Sequence, residues 1–460
     1  MSESIRTPSV WSLPWHTLRL AGRCLLPLVM WYSAGQLVRF GLMVGGTELS
    51  HGSMRDLRLA LTMLVFIIMV MASLIVTVGM FHSVRGALWE MRARRADGEE
   101  DEGFVGAISR VILPFAVLYL SWGWHVDDVR EFLNTDIKRQ SGEQGYLGAW
   151  GGLDGSSGAG TAEGLTSLNF NLTLAIMIAA FVGRYIFTVW YERRGARQAA
   201  FAVAFCELSF FYYGAQVIVS RGSWVSSREA YTWWDTLVEG LRSSIPGWDA
   251  FWGLVGAIKP YAADALLLPA IWLTVAILVY GAYAEDTTTV IKGTRLETTA
   301  AQAGQALNER THSLTRQTLT RFFGRWGHWV PLVHTVRLTV RAGAPLFGLF
   351  VLCFAAIQVG EGYARRGLEY LAGTDHPILY WDVIFVPINF VVDFGLTVLT
   401  TCLLAATFDV AAGAERRRRA QAVSDRTEVT ARIGSFPGSH PATAPARPGL
   451  PVPSGPRSAG

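Results

Sequence analysis

The chain has 460 residues, of which 51% are hydrophobic and only 17% are charged. A chain of this size with so few charged side chains cannot cover a water-soluble surface, so its composition argues against a soluble globular enzyme. Seventeen tryptophans indicate the same, because amphipathic rings collect where hydrocarbon meets water. The formal net charge is +4, and the arginines form short clusters beside apolar runs, so no nucleic-acid partner is predicted.

Eight apolar segments are long enough to cross a membrane as helices, since about 20 residues span roughly 30 Å of hydrocarbon. We therefore predict an all-α polytopic membrane protein, built as a bundle of eight transmembrane helices. The predicted spans, in chain order, are 24–45, 58–81, 104–122, 168–190, 200–220, 264–283, 343–360 and 382–408.

Arginine-rich connections predict which side of the membrane each loop occupies, because short cytoplasmic loops are enriched in Lys and Arg. These connections alternate with longer ones that are richer in glycine, tryptophan and acids. Both termini are therefore expected in the cytoplasm. Lysine occurs only at Lys138, Lys259 and Lys292, and such a preference for arginine is typical of GC-rich codon usage. We expect the chain in the cytoplasmic (plasma) membrane of a bacterium.

A partial repeat indicates four helical hairpins. His16–Arg23 and His334–Arg341 share the pattern His-Thr-x-Arg-Leu-x-x-Arg, and a proline follows the last arginine of each by four residues. If this is a duplication, the hairpins are tandem parallel repeats related by an axis along the membrane normal. Arginine before outward-going spans and proline near span starts are also common without duplication, so both interpretations stay open.

Composition divides the chain into four regions. Residues 1–290 contain six spans and two larger extracytoplasmic loops, at 123–167 and 221–262. Residues 291–342 form a cytoplasmic insert, and residues 343–410 contain the last two spans. Residues 411–460 are a tail rich in Arg, Pro and Ala, which is predicted to be disordered in the cytoplasm. The tryptophans of the second loop predict interfacial helices at the outer surface.

The cytoplasmic insert is predicted to contain a basic amphipathic helix. From Leu307 to Trp329 the apolar residues recur at helical spacings, and arginines occupy much of the remaining circumference. Such a helix either lies in the inner leaflet, held by anionic lipid, or packs on the protein's own cytoplasmic face. The arginines assigned to inner-leaflet contact are Arg310, Arg316, Arg321 and Arg325.

Three ionisable residues inside the predicted spans, Arg110, Glu207 and Asp393, are the candidate polar or coupling residues. A charge in hydrocarbon costs about 2.5 to 3.5 kcal/mol on insertion scales unless it is paired or solvated. Arg110 and Glu207 lie at matching depths and are expected to form a buried ion pair. Asp393 lies near mid-span and needs another donor, such as Asn389, Tyr213 or a proton. These groups either fix helix packing or take part in conduction.

Two further arginines in the spans are expected to be structural. Arg39 lies late in an outward-going span and Arg184 late in an inward-going one, so each side chain can reach its nearest headgroup layer. Their charges are therefore predicted to contact lipid rather than other helices.

No motif for nucleotide binding, metal binding or nucleophilic catalysis occurs in the sequence. The cysteines lie singly in apolar stretches, without metal-ligand spacing, at Cys24, Cys206, Cys353 and Cys402. We predict no cofactor, no metal and no enzymatic activity, although an intramembrane enzyme could distribute its residues over several spans.

The intramembrane carboxylates and span prolines favour a permease-like or channel-like component that moves a small solute or ion. The alternative is a membrane scaffold that recruits a protein partner at its cytoplasmic face through the basic insert and the arginine-rich tail. The predicted partners are thus the lipid bilayer, anionic inner-leaflet lipid and that protein.

Overall fold

A computed structural model of the chain describes residues 9–50, 54–98, 103–121, 124–144, 170–194, 197–220, 239, 242, 248–280, 344–373 and 375–434. These residues are helical almost throughout, and no strand occurs among them. The helices are α1 (Leu13–Ser50), α2 (Arg55–Val84), α3 (Trp89–Ala96), α4 (Phe104–Ser121), α5 (Trp124–Gln144), α6 (Phe170–Arg194), α7 (Arg197–Ser220), α8 (Trp248–Ala262), α9 (Leu268–Val279), α10 (Ala344–Ala372) and α11 (Ile378–Gly434).

Each predicted span overlaps one of these helices over its described residues. Four described helical segments are long and apolar enough to cross a membrane, and a fifth is added if the bent pair formed by α8 and α9 counts as one span. The four segments are Leu57–Ala87, Asn171–Arg194, Ala344–Ala372 and Val383–Arg418. The described part of the chain is therefore all-helical with four or five candidate spans, and eight crossings remain a prediction.

Large apolar side chains cover much of the outer surface of this bundle. On α1, Leu26, Leu37 and Phe40 are exposed, and Val383 and Val386 are exposed on α11. Apolar surface of this extent is unfavourable in water but suits hydrocarbon, where helices satisfy their own backbone groups. The distribution of side chains thus fits insertion of these helices into a membrane.

Helix pairing differs from the four predicted hairpins. α1 and α2 pack closely, as predicted for the first hairpin, but α6 packs mainly against α7, and α4 packs against α7 and α9. Only residues 195 and 196 separate α6 from α7, so these helices must be neighbours, whereas a long connection separates α4 from α6. The pairing of α6 and α7 crosses the predicted boundary between the second and third hairpins. Residues 334–341, which carry the repeat, lie outside the described residues.

Close contacts fix the crossing of α1 and α2. Gly35 of α1 faces Val76, and Gly79 of α2 faces the ring of Trp31. A β-carbon built at Gly79 would lie 2.5 Å from Cε2 of Trp31, so only glycine leaves room for that ring. The buried face of α2 then contributes to the main core, with Ile67, Leu74, Val78 and Phe81.

The first and last helices of the larger compact unit meet near one end of the bundle. His16 of α1 contacts Asp409 of α11, and the ring of Tyr280, just after α9, stacks on Phe408 with centroids 4.7 Å apart. These contacts therefore place the start of α1, the end of α9 and residue 409 of α11 at the same end of the bundle.

Helix α5 replaces part of a predicted loop. Residues 123–167 were predicted as an extracytoplasmic loop, but Trp124–Gln144 form a helix that packs on α1 and α4. The glycine-rich stretch that indicates a loop begins only after this helix. The side of the membrane on which α5 lies remains a prediction.

The last helix corrects the predicted disorder of residues 411–460. The chain divides into two compact units, Met1–Gly413 and Ala414–Gly460, and in the second unit residues 414–434 are helical. This stretch contains neither proline nor an internal glycine before Gly434 and is rich in Ala, Arg and Glu, which favour helix. The remainder of the tail, and the basic insert with its four assigned arginines, lie outside the described residues.

Candidate functional site

Glu207 pairs with an arginine that was assigned to lipid headgroups. Arg184 Nη2 on α6 lies 3.3 Å from Glu207 Oε1 on α7, and both side chains are mostly buried. Each residue is 11 positions from the two-residue connection between the helices, or about 17 Å along its helix. Because α6 and α7 pack side by side and only two residues connect them, residues equidistant from that connection meet. Arg184 thus neutralises the carboxylate that was predicted to pair with Arg110.

Asp393 also contacts an arginine. Arg365 Nη2 on α10 lies 3.2 Å from Asp393 Oδ1 on α11 and 3.1 Å from Glu361 Oε1 one turn earlier on α10. Asp393 is 16 residues before Asp409, or about 24 Å along α11. The predicted donors Asn389 and Tyr213 do not supply this contact.

The third candidate, Arg110, lies half-buried on α4. Helix α4 packs against α2, α7 and α9. Glu207 pairs with Arg184 of α6 and Asp393 with Arg365 of α10, so the two carboxylates do not share one arginine.

A buried cluster that the sequence analysis missed lies where the first and last helices meet. This inner cluster consists of His16, Glu90, Tyr280 and Asp409. The Asp409 carboxylate is fully buried and accepts hydrogen bonds from the backbone N–H groups of Trp89 (3.0 Å) and Glu90 (2.7 Å). His16 Nε2 lies 3.0 Å from the same carboxylate.

Asp409 caps α3 from another helix. The first N–H groups of a helix have no partner within it, and Leu88, which precedes α3, offers no side-chain cap. A carboxylate at this end also interacts favourably with the helix dipole. The Glu90 side chain is buried in turn and accepts a bond from Arg94 Nε at 3.1 Å. One aspartate therefore joins α1, α3 and α11.

His16 lies nearer the surface than the carboxylate that it contacts. Its side chain is 17% exposed, whereas that of Asp409 is wholly buried. Tyr280 is also buried, and among the described residues its hydroxyl has no hydrogen-bond partner. The sequence analysis missed Asp409 because it follows the predicted end of the last span.

A second cluster, the outer cluster, lies 23 residues further along α1, about 35 Å from His16. Arg39 donates to the carboxylates of Asp128 and Glu131 on α5, and the hydroxyl of Tyr119 on α4 donates to Asp128. Arg39 was predicted to contact headgroups, but it binds protein carboxylates because α5 is a helix rather than a loop. The outer cluster fixes α1, α4 and α5 together.

Removing the Arg39 cation is expected to destabilise this junction. Arg39→Gln leaves the carboxylate of Asp128 buried without a partner charge, so the free energy of unfolding should fall by about 3 kcal/mol. Arg130→Gln is the matched control, because Arg130 is 72% exposed and its pair with Asp127 contributes less than about 1 kcal/mol. Steric trapping in bicelles measures both changes; equal changes would contradict the burial argument.

No family model, curated protein or solved structure matches this chain. The fold and its sites therefore define the class on their own, that of an all-helical protein with several helices apolar enough for a membrane. Among the described residues no group of three or more His, Cys, Asp or Glu side chains could hold a metal ion. The four cysteines are free thiols.

Proposed function

We propose that this protein is a permease-like or channel-like, non-enzymatic component of a bacterial plasma membrane that moves a small solute or ion, with both termini in the cytoplasm. The observation that carries the proposal is that two carboxylates of the predicted spans, Glu207 and Asp393, are each held by one arginine from another helix. Ionisable groups at such depth are costly and are concentrated where ions or protons pass.

The arginine–carboxylate pairs supply a mechanism for coupling. When Glu207 or Asp393 takes up a proton, it no longer attracts Arg184 or Arg365 as a charge, and the two helices lose the contact that holds them in register. When the proton leaves, the ion pair reforms. Movement of α7 against α6, or of α11 against α10, would thereby follow protonation of one carboxylate.

A bent helix pair supports the same proposal. α8 and α9 meet at an angle of 44° across a π-helical segment, Ala263–Leu267, and Pro269 follows in the first turn of α9. Single π turns often occur at functional sites. The π segment lies at the start of the predicted sixth span.

The second candidate is a membrane scaffold that binds a protein partner at its cytoplasmic face. The same ion pairs favour it in one respect, because a carboxylate that already has its arginine needs no solute to neutralise it. On this hypothesis the pairs only fix helix packing, and the basic insert 291–342 recruits the partner, with anionic inner-leaflet lipid as a further contact.

Flux measurements separate the two candidates. In vesicles containing the purified protein, pyranine reports proton flux, and light scattering reports entry of small neutral solutes and salts. Glu207→Gln and Asp393→Asn should each abolish any flux that the parent protein supports, because a neutral amide cannot exchange a proton. Asp127→Asn, at an exposed carboxylate on α5, is the matched control and should leave flux unchanged.

Two outcomes would contradict the permease proposal. Unaltered flux in both carboxylate variants removes the coupling role, and no flux of any probe through the parent protein favours the scaffold. The scaffold in turn requires that deletion of residues 296–330 abolishes partner binding while the two carboxylate variants still bind.

A further inference from the structure

Helix α8 is too short to cross a membrane alone. Its 15 residues extend about 22 Å, against roughly 30 Å of hydrocarbon. The π segment and α9 continue from it at an angle of 44°. α8 and α9 therefore do not form one straight span, and the position of α8 has to be explained from its own side chains.

The two halves of α8 differ in side-chain size. At 100° per residue the large side chains Phe251, Trp252, Leu254, Ile258 and Tyr261 fall on one half of the circumference, and all five are at least half exposed. The other half carries Asp249, Gly253, Gly256 and Ala257. We call these the bulky half and the small half of α8.

Among the described residues, no part of the protein covers the small half. A β-carbon built at Gly253 or at Gly256 meets no atom within 4 Å. On the bulky half, Trp252 makes ring contacts with Trp248 and Phe251 of the same helix. The exposed apolar area is therefore available to lipid.

The position of Tyr280, just after α9, indicates where α8 lies relative to the membrane. Tyr280 stacks on Phe408, next to the inner cluster, and 20 residues of helix before it extend about 30 Å. Residue 260 thus lies near the membrane surface opposite the inner cluster. A helix that continued from there into water would expose five large apolar side chains, which is unfavourable.

We propose that α8 lies in the lipid–water interface at this surface, with its bulky half among the acyl chains and its small half in water. The partner is the bilayer itself. Trp248 and Trp252 are residue types that favour this layer, and Lys259, at the edge of the bulky half, can extend to the headgroups. The proposal requires only that the chain is embedded in a membrane and does not depend on transport.

The charge of α8 indicates which lipid it accepts. The helix carries one aspartate and one lysine, and Asp249 also binds Arg242 at 2.8 Å. With no excess of basic residues, α8 has no electrostatic reason to prefer anionic headgroups. Its insertion is therefore expected to be equal in phosphatidylcholine and in phosphatidylglycerol, unlike binding through a basic helix.

Nitroxide labels on adjacent residues test the orientation. Leu254→Cys and Ile258→Cys place the label on the bulky half, and Gly253→Cys and Ala257→Cys place it on the small half. In phosphatidylcholine nanodiscs, labels on the bulky half should collide more with oxygen than with Ni-EDDA, and labels on the small half should show the reverse. The parent protein, whose own cysteines lie in apolar helices, gives the background labelling.

Three results would overturn the proposal. Oxygen accessibility at all four positions would mean that α8 crosses hydrocarbon as part of a broken span. Protection of the bulky half from both reagents would mean that protein covers it. Lower oxygen accessibility of the bulky half in phosphatidylcholine than in phosphatidylglycerol would mean that charge, rather than the apolar side chains, holds the helix at the membrane.

Discussion

Replacing Asp409 by alanine is expected to lower the free energy of unfolding by about 3 to 5 kcal/mol, because it leaves buried polar groups of two other helices without partners. The N–H groups of Trp89 and Glu90 lose their acceptor, and His16 loses its carboxylate. Steric trapping in bicelles measures the change. Asp127→Ala, at a carboxylate that is 65% exposed, is the control and should change the stability by less than about 1 kcal/mol.

The contact with His16 can be measured separately from the cap on α3. His16→Ala removes one of the three described contacts of Asp409 and should cost less than Asp409→Ala. The double variant should cost less than the sum of the two single variants, because both remove the same contact. Additive effects, or an Asp409→Ala change no larger than that of Asp127→Ala, would show that the inner cluster does not hold the helix ends together.

Replacing Gly79 by alanine should separate α1 from α2. The new methyl group would lie within 2.7 Å of three atoms of the Trp31 ring, and overpacking of this kind costs about 1 to 3 kcal/mol. Alanine is favoured over glycine in a helix by about 1 kcal/mol, so the clash has to outweigh that gain. Gly22→Ala in α1 is the matched control, since nothing lies within 4 Å of its β-carbon.

Thermal unfolding in detergent is a sufficient measurement for this pair of variants. Gly79→Ala should lower the melting temperature and Gly22→Ala should raise it or leave it unchanged. Adding Trp31→Leu to Gly79→Ala frees the space of the ring, so the double variant should lose less stability than the single changes together. A Gly79→Ala protein as stable as the parent would show that the ring moves without cost.

The sequence predicts where helices lie better than it predicts which side chains meet. Long apolar runs form helices wherever water is excluded, so the described residues of the eight predicted segments are helical. Matching depth led to the prediction that Arg110 pairs with Glu207, and that pairing stays a prediction. The usable signal for the Arg184 contact was the connection of only two residues between α6 and α7, which brings Arg184 to Glu207.

The polar clusters were harder to predict because they join distant parts of the chain. Asp128 was assigned to a loop because it lies between the third and fourth predicted spans, although the spacing of Asp127 and Arg130 beside it is compatible with a helix. Asp409 lies one residue beyond the predicted last span. Nothing in the sequence near it indicates that the start of α3 needs an acceptor.

The long sequence separations at Asp409 bear on the order in which the protein is assembled. His16 and Asp409 are 393 residues apart, and Trp89 precedes its acceptor by 320 residues. During translation the first two helices leave the ribosome long before the last one exists, and a chain folds from its N-terminal end as it emerges. The nascent protein must therefore remain open at this end until α11 has been synthesised, and docking of Asp409 is the event that closes it.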